Sequence, residues 1–131
     1  MIPQKLKLIF FTSIPVFIAH GLEEYLTGFY NIDPISKFVF GYFNNLPTPQ
    51  ATFLLFQIIL WLTLIVFAFL IAGEKWRFRL LLLPGIIYIF ELHHFWKAIE
   101  FGRYYPGLVT AIAFPILGYL FWAELLKHEN S

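Results

Sequence analysis

The sequence predicts an all-α fold: an integral membrane four-helix bundle with a short interfacial helix between its first and second spans. Three observations lead there. The chain is 60% hydrophobic and only 13% charged, against roughly 45–50% apolar and about 25% charged in a soluble domain. It contains four apolar runs, each close to the ~20 residues a helix needs to cross a bilayer. Between those runs lie short stretches of proline, glycine, asparagine and basic residues, which punctuate helices. At 131 residues the chain suits a single transmembrane domain with room for little else.

The first span is expected from about Lys7 to Gly28, with Pro15 in its apolar body. Proline is tolerated there where neighbours re-satisfy the freed carbonyl. The lysines before this run resemble the start of a signal peptide. The run lacks a small-x-small cleavage pattern and carries charged groups, so it is expected to be retained. Asp33-Pro34 reads as a helix start, the acid as cap and the proline at the first position. The aromatic-rich segment after it suits a short helix lying in the membrane interface. The second span runs from Ala51 to Ala72, with Gln57 and Thr63 among its few polar residues. The third runs from about Phe78 to Gly102 and the fourth from about Pro106 to Leu126, with Pro115 inside; the tail from Lys127 to Ser131 is polar.

Four spans put both termini on one side. That side collects Lys5, Lys7, Lys75, Arg77, Arg79 and Lys127, and the other has Lys37, Lys97 and Arg103. The positive-inside rule then places both termini in the cytoplasm. A net charge of +1 with no separate basic block excludes a nucleic-acid footprint. The absence of cysteine excludes disulfides, thiolate ligands and thiol nucleophiles.

Two polar clusters interrupt this apolar chain: His20-Gly-Leu-Glu-Glu24 in the first span and Glu91-Leu-His-His94 in the third. Both spans run in the same direction. His20 and His94 each lie roughly 12 Å below the outer end of their helix, at 1.5 Å per residue. The clusters should therefore share a layer, with Thr110 and Gln57 near the same depth. Glu23 and Glu24 are three and four residues from His20, and Glu91 is three from His94, so each set shares a helix face. His93 is rotated about 100° from His94 and is the lesser candidate. Unpaired, these groups would cost on the order of 10 kcal/mol in hydrocarbon.

A Glu-x-x-His pair facing carboxylate and histidine on another helix is a known metal-ligand layout. His20, Glu24, Glu91 and His94 are the expected ligands. Zinc is the first choice of ion, with iron and manganese open, since no sulfur is available. The structural alternative is that Glu23 and Glu24 sit at headgroup level, and that Glu91 pairs with a histidine merely to fix helix register. Glu124 and His128 read as a solvated helix end, and Glu100 as an interfacial group with Arg103 three residues on.

His20-Gly-Leu-Glu-Glu24, a later histidine and Tyr104-Tyr-Pro-Gly107 occur in an order that resembles the HXXEE domain family over essentially the whole chain. That family consists of small membrane proteins without an established reaction. The resemblance raises the standing of Tyr104, Pro106 and Gly107, whose tight turn would hold Tyr104 over the mouth of the polar layer. A looser likeness is to intramembrane glutamate proteases of the CAAX-processing type. Their Glu-Glu-x-x-x-Arg pattern is broken here, since Glu23-Glu24 is followed by Tyr, Leu, Thr and Gly.

The leading functional expectation is a membrane-embedded, metal-dependent enzyme, with hydrolysis of a lipid or other hydrophobic substrate as the first choice of reaction and di-iron oxidation as the second. Glu23, Glu24 and Tyr104 are the candidate catalytic groups, with Glu23 as general base or further ligand. One alternative is metal-independent acid/base isomerisation of a lipid. Others are non-enzymatic ion or lipid binding or transport, and a purely structural membrane subunit.

Overall fold

A computed structural model of the chain describes residues 1–129, and the helices account for most of them. Asn130 and Ser131 of the expected polar tail lie outside the described residues. Among the described residues, four helical runs are long and apolar enough to cross a membrane: Gln4–Thr27, Thr48–Ile71, Glu74–Phe101 and Leu108–His128. The chain divides into two compact units, one made of residues 1–29 together with the segment from Leu81 onward, the other of Tyr30–Leu80.

The first unit holds α1 (Gln4–Thr27), α6 (Leu82–Phe90), α7 (His93–Phe101), α8 (Leu108–Ala111) and α9 (Ala113–Glu129). Pro15 lies within α1 without ending it; Gly28, at φ 74°, ends it by donating its amide to the Glu24 and Tyr25 carbonyls. That left-handed backbone is the usual helix stop and favours glycine. The third apolar run is interrupted at Leu81, and α6 begins after it. Pro84 explains this, because it has no amide to offer the Leu80 carbonyl and its ring crowds that turn. Likewise Pro115 cannot bond the Ala111 carbonyl, and α8 stops there before α9 resumes.

A second interruption separates α6 from α7 at Glu91 and Leu92. The Leu92, His94 and Phe95 amides bond the carbonyls three residues back, at 3.1–3.3 Å. This is 3₁₀ winding, with three residues per turn, so residues i and i+3 eclipse. Glu91 and His94 are thereby brought closer to one line than an α-helix would bring them.

Packing in this unit is tight where glycine allows it. α6 lies against α9, and α1 packs on α8 and α9. Trp122 donates its indole N–H to the Gly85 carbonyl at 2.9 Å, and Gly118 faces Tyr88. Such close approach through small residues is the common means of helix association in apolar surroundings. The core is Leu6, Ile9, Tyr88, Tyr105, Ala111, Phe114, Phe121 and Leu125. A polar link crosses it. Tyr88 donates to Ser13 Oγ at 2.5 Å, and Ser13 donates to the Phe10 carbonyl at 2.6 Å.

One reading of the polar residues is corrected here. Glu124 is not a solvated helix end: it is buried, 3.0 Å from Lys5 Nζ and 3.1 Å from His128 Nε2. Its position on the inner face of α9, towards the start of α1, decides this. Glu100 is exposed and pairs with Lys97, three residues before it on α7, at 2.8 Å.

The second unit contains α3 (Pro34–Asn44), α4 (Thr48–Ile71) and α5 (Glu74–Leu80); α2 (Phe29–Ile32) leads into it. Asp33 caps α3 by accepting the Ser36 amide at 2.8 Å, with proline at the first helical position. α4 has no buried residue. Arg77 donates to the Leu70 carbonyl at 2.7 Å, satisfying one of the acceptors that a helix end leaves open. Gln57 belongs to α4, whereas every other member of the expected polar layer belongs to the first unit.

Candidate metal centre

Histidine 20 sits on the inward face of α1, 3% exposed, and His94 at the start of α7 is fully buried. Their Nε2 atoms approach to 3.1 Å, with the rings edge to face. Glu91 Oε2 is 2.9 Å from His20 Nε2 and 3.3 Å from His94 Nε2. Glu24 Oε1 is 3.2 Å from His94 Nε2 and 3.6 Å from His20 Nε2. These four residues offer ligand atoms that all lie within 4.8 Å of one another. The His20 imidazole is further walled by Phe114 and the His94 imidazole by Phe29, at 5.1 and 5.3 Å between ring centres.

The outer ring nitrogens decide what the inner ones can do. His94 Nδ1 lies 2.8 Å from the Pro106 carbonyl. A carbonyl only accepts, so Nδ1 carries the proton and donates it. In the neutral ring, the lone pair is then on Nε2, which faces the cluster. His20 Nδ1 lies 2.8 Å from Thr110 Oγ1. Two imidazoles and two carboxylates crowded this closely, with the carboxylates only partly exposed, call for positive charge among them, as a proton or a cation.

A divalent cation fits that requirement. Ligands held tetrahedrally at about 2.0–2.1 Å stand about 3.3 Å apart. Five of the six separations among the four atoms run from 2.9 to 3.6 Å, and all of them lie within 4.8 Å. His20, Glu24, Glu91 and His94 can hold a metal ion.

The turn of residues 104–107 closes over this cluster. Gly107 has φ +86°, and a Cβ built there would lie 2.6 Å from His94 Cε1, 2.8 Å from His20 Cε1 and 3.0 Å from Glu24 Cγ. No other residue fits: the backbone conformation is left-handed, and the space is taken by three of the four candidate ligands. The second motif is thus the lid of the first.

A family model described as "Protein of unknown function with HXXEE motif" matches residues 11–122. The chain belongs to the HXXEE family. No curated protein and no solved structure matches it. In this member, the histidine and the second glutamate of the HXXEE motif, His20 and Glu24, face the cluster.

The first glutamate of the motif does not. Glu23 Oε1 accepts the Tyr104 hydroxyl at 2.7 Å and the Val109 amide at 3.1 Å. Its Oε2 accepts the Thr110 amide at 2.8 Å and the Thr110 hydroxyl at 2.5 Å. Tyr104 is half exposed and bonded to Glu23. His93 is outside the four-residue group: its Nδ1 meets the Phe90 carbonyl at 2.9 Å, and its ring stacks beside His94.

Thr110 and the Pro106 carbonyl were not named among the site residues by sequence reasoning, although each holds a histidine. For Thr110 the available signal was its depth, a turn into the fourth run. For the Pro106 carbonyl, a backbone group, only the motif pointed to the neighbourhood.

Proposed function

We propose that this is a four-span integral membrane protein, with both termini in the cytoplasm and α3 in the interface, and that it is a metal-dependent hydrolase of a lipid or other hydrophobic substrate. The membrane reading is supported by four long apolar helices and by α4, which buries none of its residues. In water, such a helix would expose apolar surface on every side; in hydrocarbon, that costs nothing. The excess of basic residues on one side supports the orientation.

The observation that carries the site reading is the convergence of His20, Glu24, Glu91 and His94, whose ligand atoms all lie within 4.8 Å of one another, with the Nδ1 atoms of both histidines tied down from behind. Zinc suits these nitrogen and oxygen donors best, ahead of iron and manganese. A bound ion would supply positive charge that acidifies water and polarises a substrate oxygen. Glu24 is the loosest of the four, 25% exposed and farthest from His20. Its carboxylate is the one placed to exchange holding the ion for taking a proton. In hydrolysis the water oxygen bonds to the electrophilic carbon or phosphorus and the bond to the leaving oxygen breaks. The water proton then passes through Glu24 to that oxygen. Tyr104, half exposed and bonded to Glu23, would orient a substrate.

Metal analysis of protein purified without chelator tests this reading. About one divalent ion per chain is expected, lost in His20→Ala and in His94→Ala. Protein that is folded and carries no stoichiometric metal sinks it. The 2.9 Å approach of Glu91 to His20 favours one second reading, acid/base isomerisation of a lipid through a shared proton. Catalysis that survives chelation would select that version.

A further inference from the structure

We infer that Glu23, the first glutamate of the motif, is a positioning residue, acting through Thr110 to fix the proton and the aim of His20. The argument is one of donors and acceptors. Glu23 receives hydrogen bonds from the Tyr104 hydroxyl, the Val109 and Thr110 amides and the Thr110 hydroxyl. The two amides can only donate, one to each carboxylate oxygen, and the two hydroxyls complete the set, so Glu23 serves as an acceptor throughout.

Thr110 has a single hydroxyl proton. That proton goes to Glu23 Oε2 at 2.5 Å; the Gly107 carbonyl, at 3.3 Å, is the weaker choice. Towards His20 Nδ1, 2.8 Å away, Thr110 Oγ1 can then only accept. His20 must therefore carry a proton on Nδ1, and in the neutral ring the Nε2 lone pair then faces His94, Glu91 and Glu24. The result is a carboxylate–hydroxyl–imidazole chain, a longer form of the outer-shell support that metal-binding histidines use. His94 has the shorter form, with the Pro106 carbonyl in the place of the hydroxyl.

The same carboxylate ties α1 to the first turn of α8, so the two motifs of the chain are joined at Glu23. The adjacent glutamates thus divide the work: Glu24 faces the cluster, and Glu23 sets the histidine that faces Glu24. Only the affinity measurement below rests on the metal-site reading; the spectroscopic measurement does not.

The test uses the full chain in detergent, with zinc ion as the probe and Thr110→Val, Thr110→Ser, Glu23→Gln and His20→Ala as variants. Circular dichroism checks that each is folded. Thr110→Val and Glu23→Gln are expected to weaken zinc binding about 10- to 100-fold, with Thr110→Ser close to wild type. In metal-free protein, the ring nitrogen spectrum of His20, assigned by its loss in His20→Ala, is expected to show a protonated, hydrogen-bonded Nδ1. That signature should survive in Thr110→Ser and be lost in Thr110→Val. Folded Thr110→Val with the wild-type ring spectrum would overturn the inference, whatever zinc does. Wild-type protein that ignores zinc but loses the ring signature in Thr110→Val would sink the metal reading and leave this one standing.

Discussion

A Cβ on Gly107 would fall 2.6 Å from Cε1 of His94, so the backbone of one motif rests directly on a side chain of the cluster. Gly107→Ala should accordingly do two kinds of damage. It forces a left-handed backbone on a residue with a side chain, and it pushes both imidazoles away. Together these should cost about 2–4 kcal/mol. Unfolding in detergent would measure the loss, and zinc titration should show weaker binding in whatever remains folded.

Glu91 and Glu24 should differ as ligands. Glu91 is the more enclosed, 15% exposed against 25%, and lies closer to His20. Glu91→Gln is expected to lower metal affinity by a larger factor than Glu24→Gln, measured by competition with a chelator of known affinity. Catalytic loss is expected in the opposite order relative to binding, greatest in Glu24→Gln at saturating metal. Equal effects on both measures would contradict the division of roles.

Ser13 and Tyr88 give a test of packing away from the site. Ser13→Ala strands the buried Tyr88 hydroxyl without an acceptor and should cost about 1–3 kcal/mol. Tyr88→Phe leaves Ser13 still donating to Phe10 and should cost about 1 kcal/mol. The double variant should be less damaged than the sum, which a cycle of unfolding measurements in detergent would show.

Tyr104 carries a pH signature. Burial, and then the Glu23 carboxylate that accepts its proton, raise its pKa above the ordinary 10.0. A raised folded-state value means that the fold holds this proton more tightly than the unfolded chain does. The resulting stability is complete below the unfolded value and is lost as pH rises through the folded one. The difference in ultraviolet absorbance between wild type and Tyr104→Phe should show ionisation later than for a free phenol. In Glu23→Gln it should return part of the way.

Topology can be read with single cysteines, because the natural chain has none. Cysteine at Lys5 or Lys75 should be shielded from an impermeant maleimide in intact cells, and cysteine at Lys37 should be labelled. The reverse pattern would invert the orientation.

Much of this protein was legible in its residue order. The four apolar runs, the Asp33 cap on α3 and the contrast between His94 and His93 follow from local rules of period and capping. So does the set His20, Glu24, Glu91 and His94, since spacing of three and four puts residues on one helix face. Glu23 shows where such rules end. It lies beside Glu24 in the chain, and spacing alone put both near the face of His20. Which of them meets the other cluster depends on how α1 is rotated against α8, and residues 86 and 87 positions away decide that. The 3₁₀ turn at Glu91, the seat of Gly107 on His94 and the link from Thr110 to His20 are of the same kind. Each depends on helix rotation and crossing at ångström precision. That is settled by the packing of the whole unit, because hydrophobic period says which face turns inward but not what it will touch.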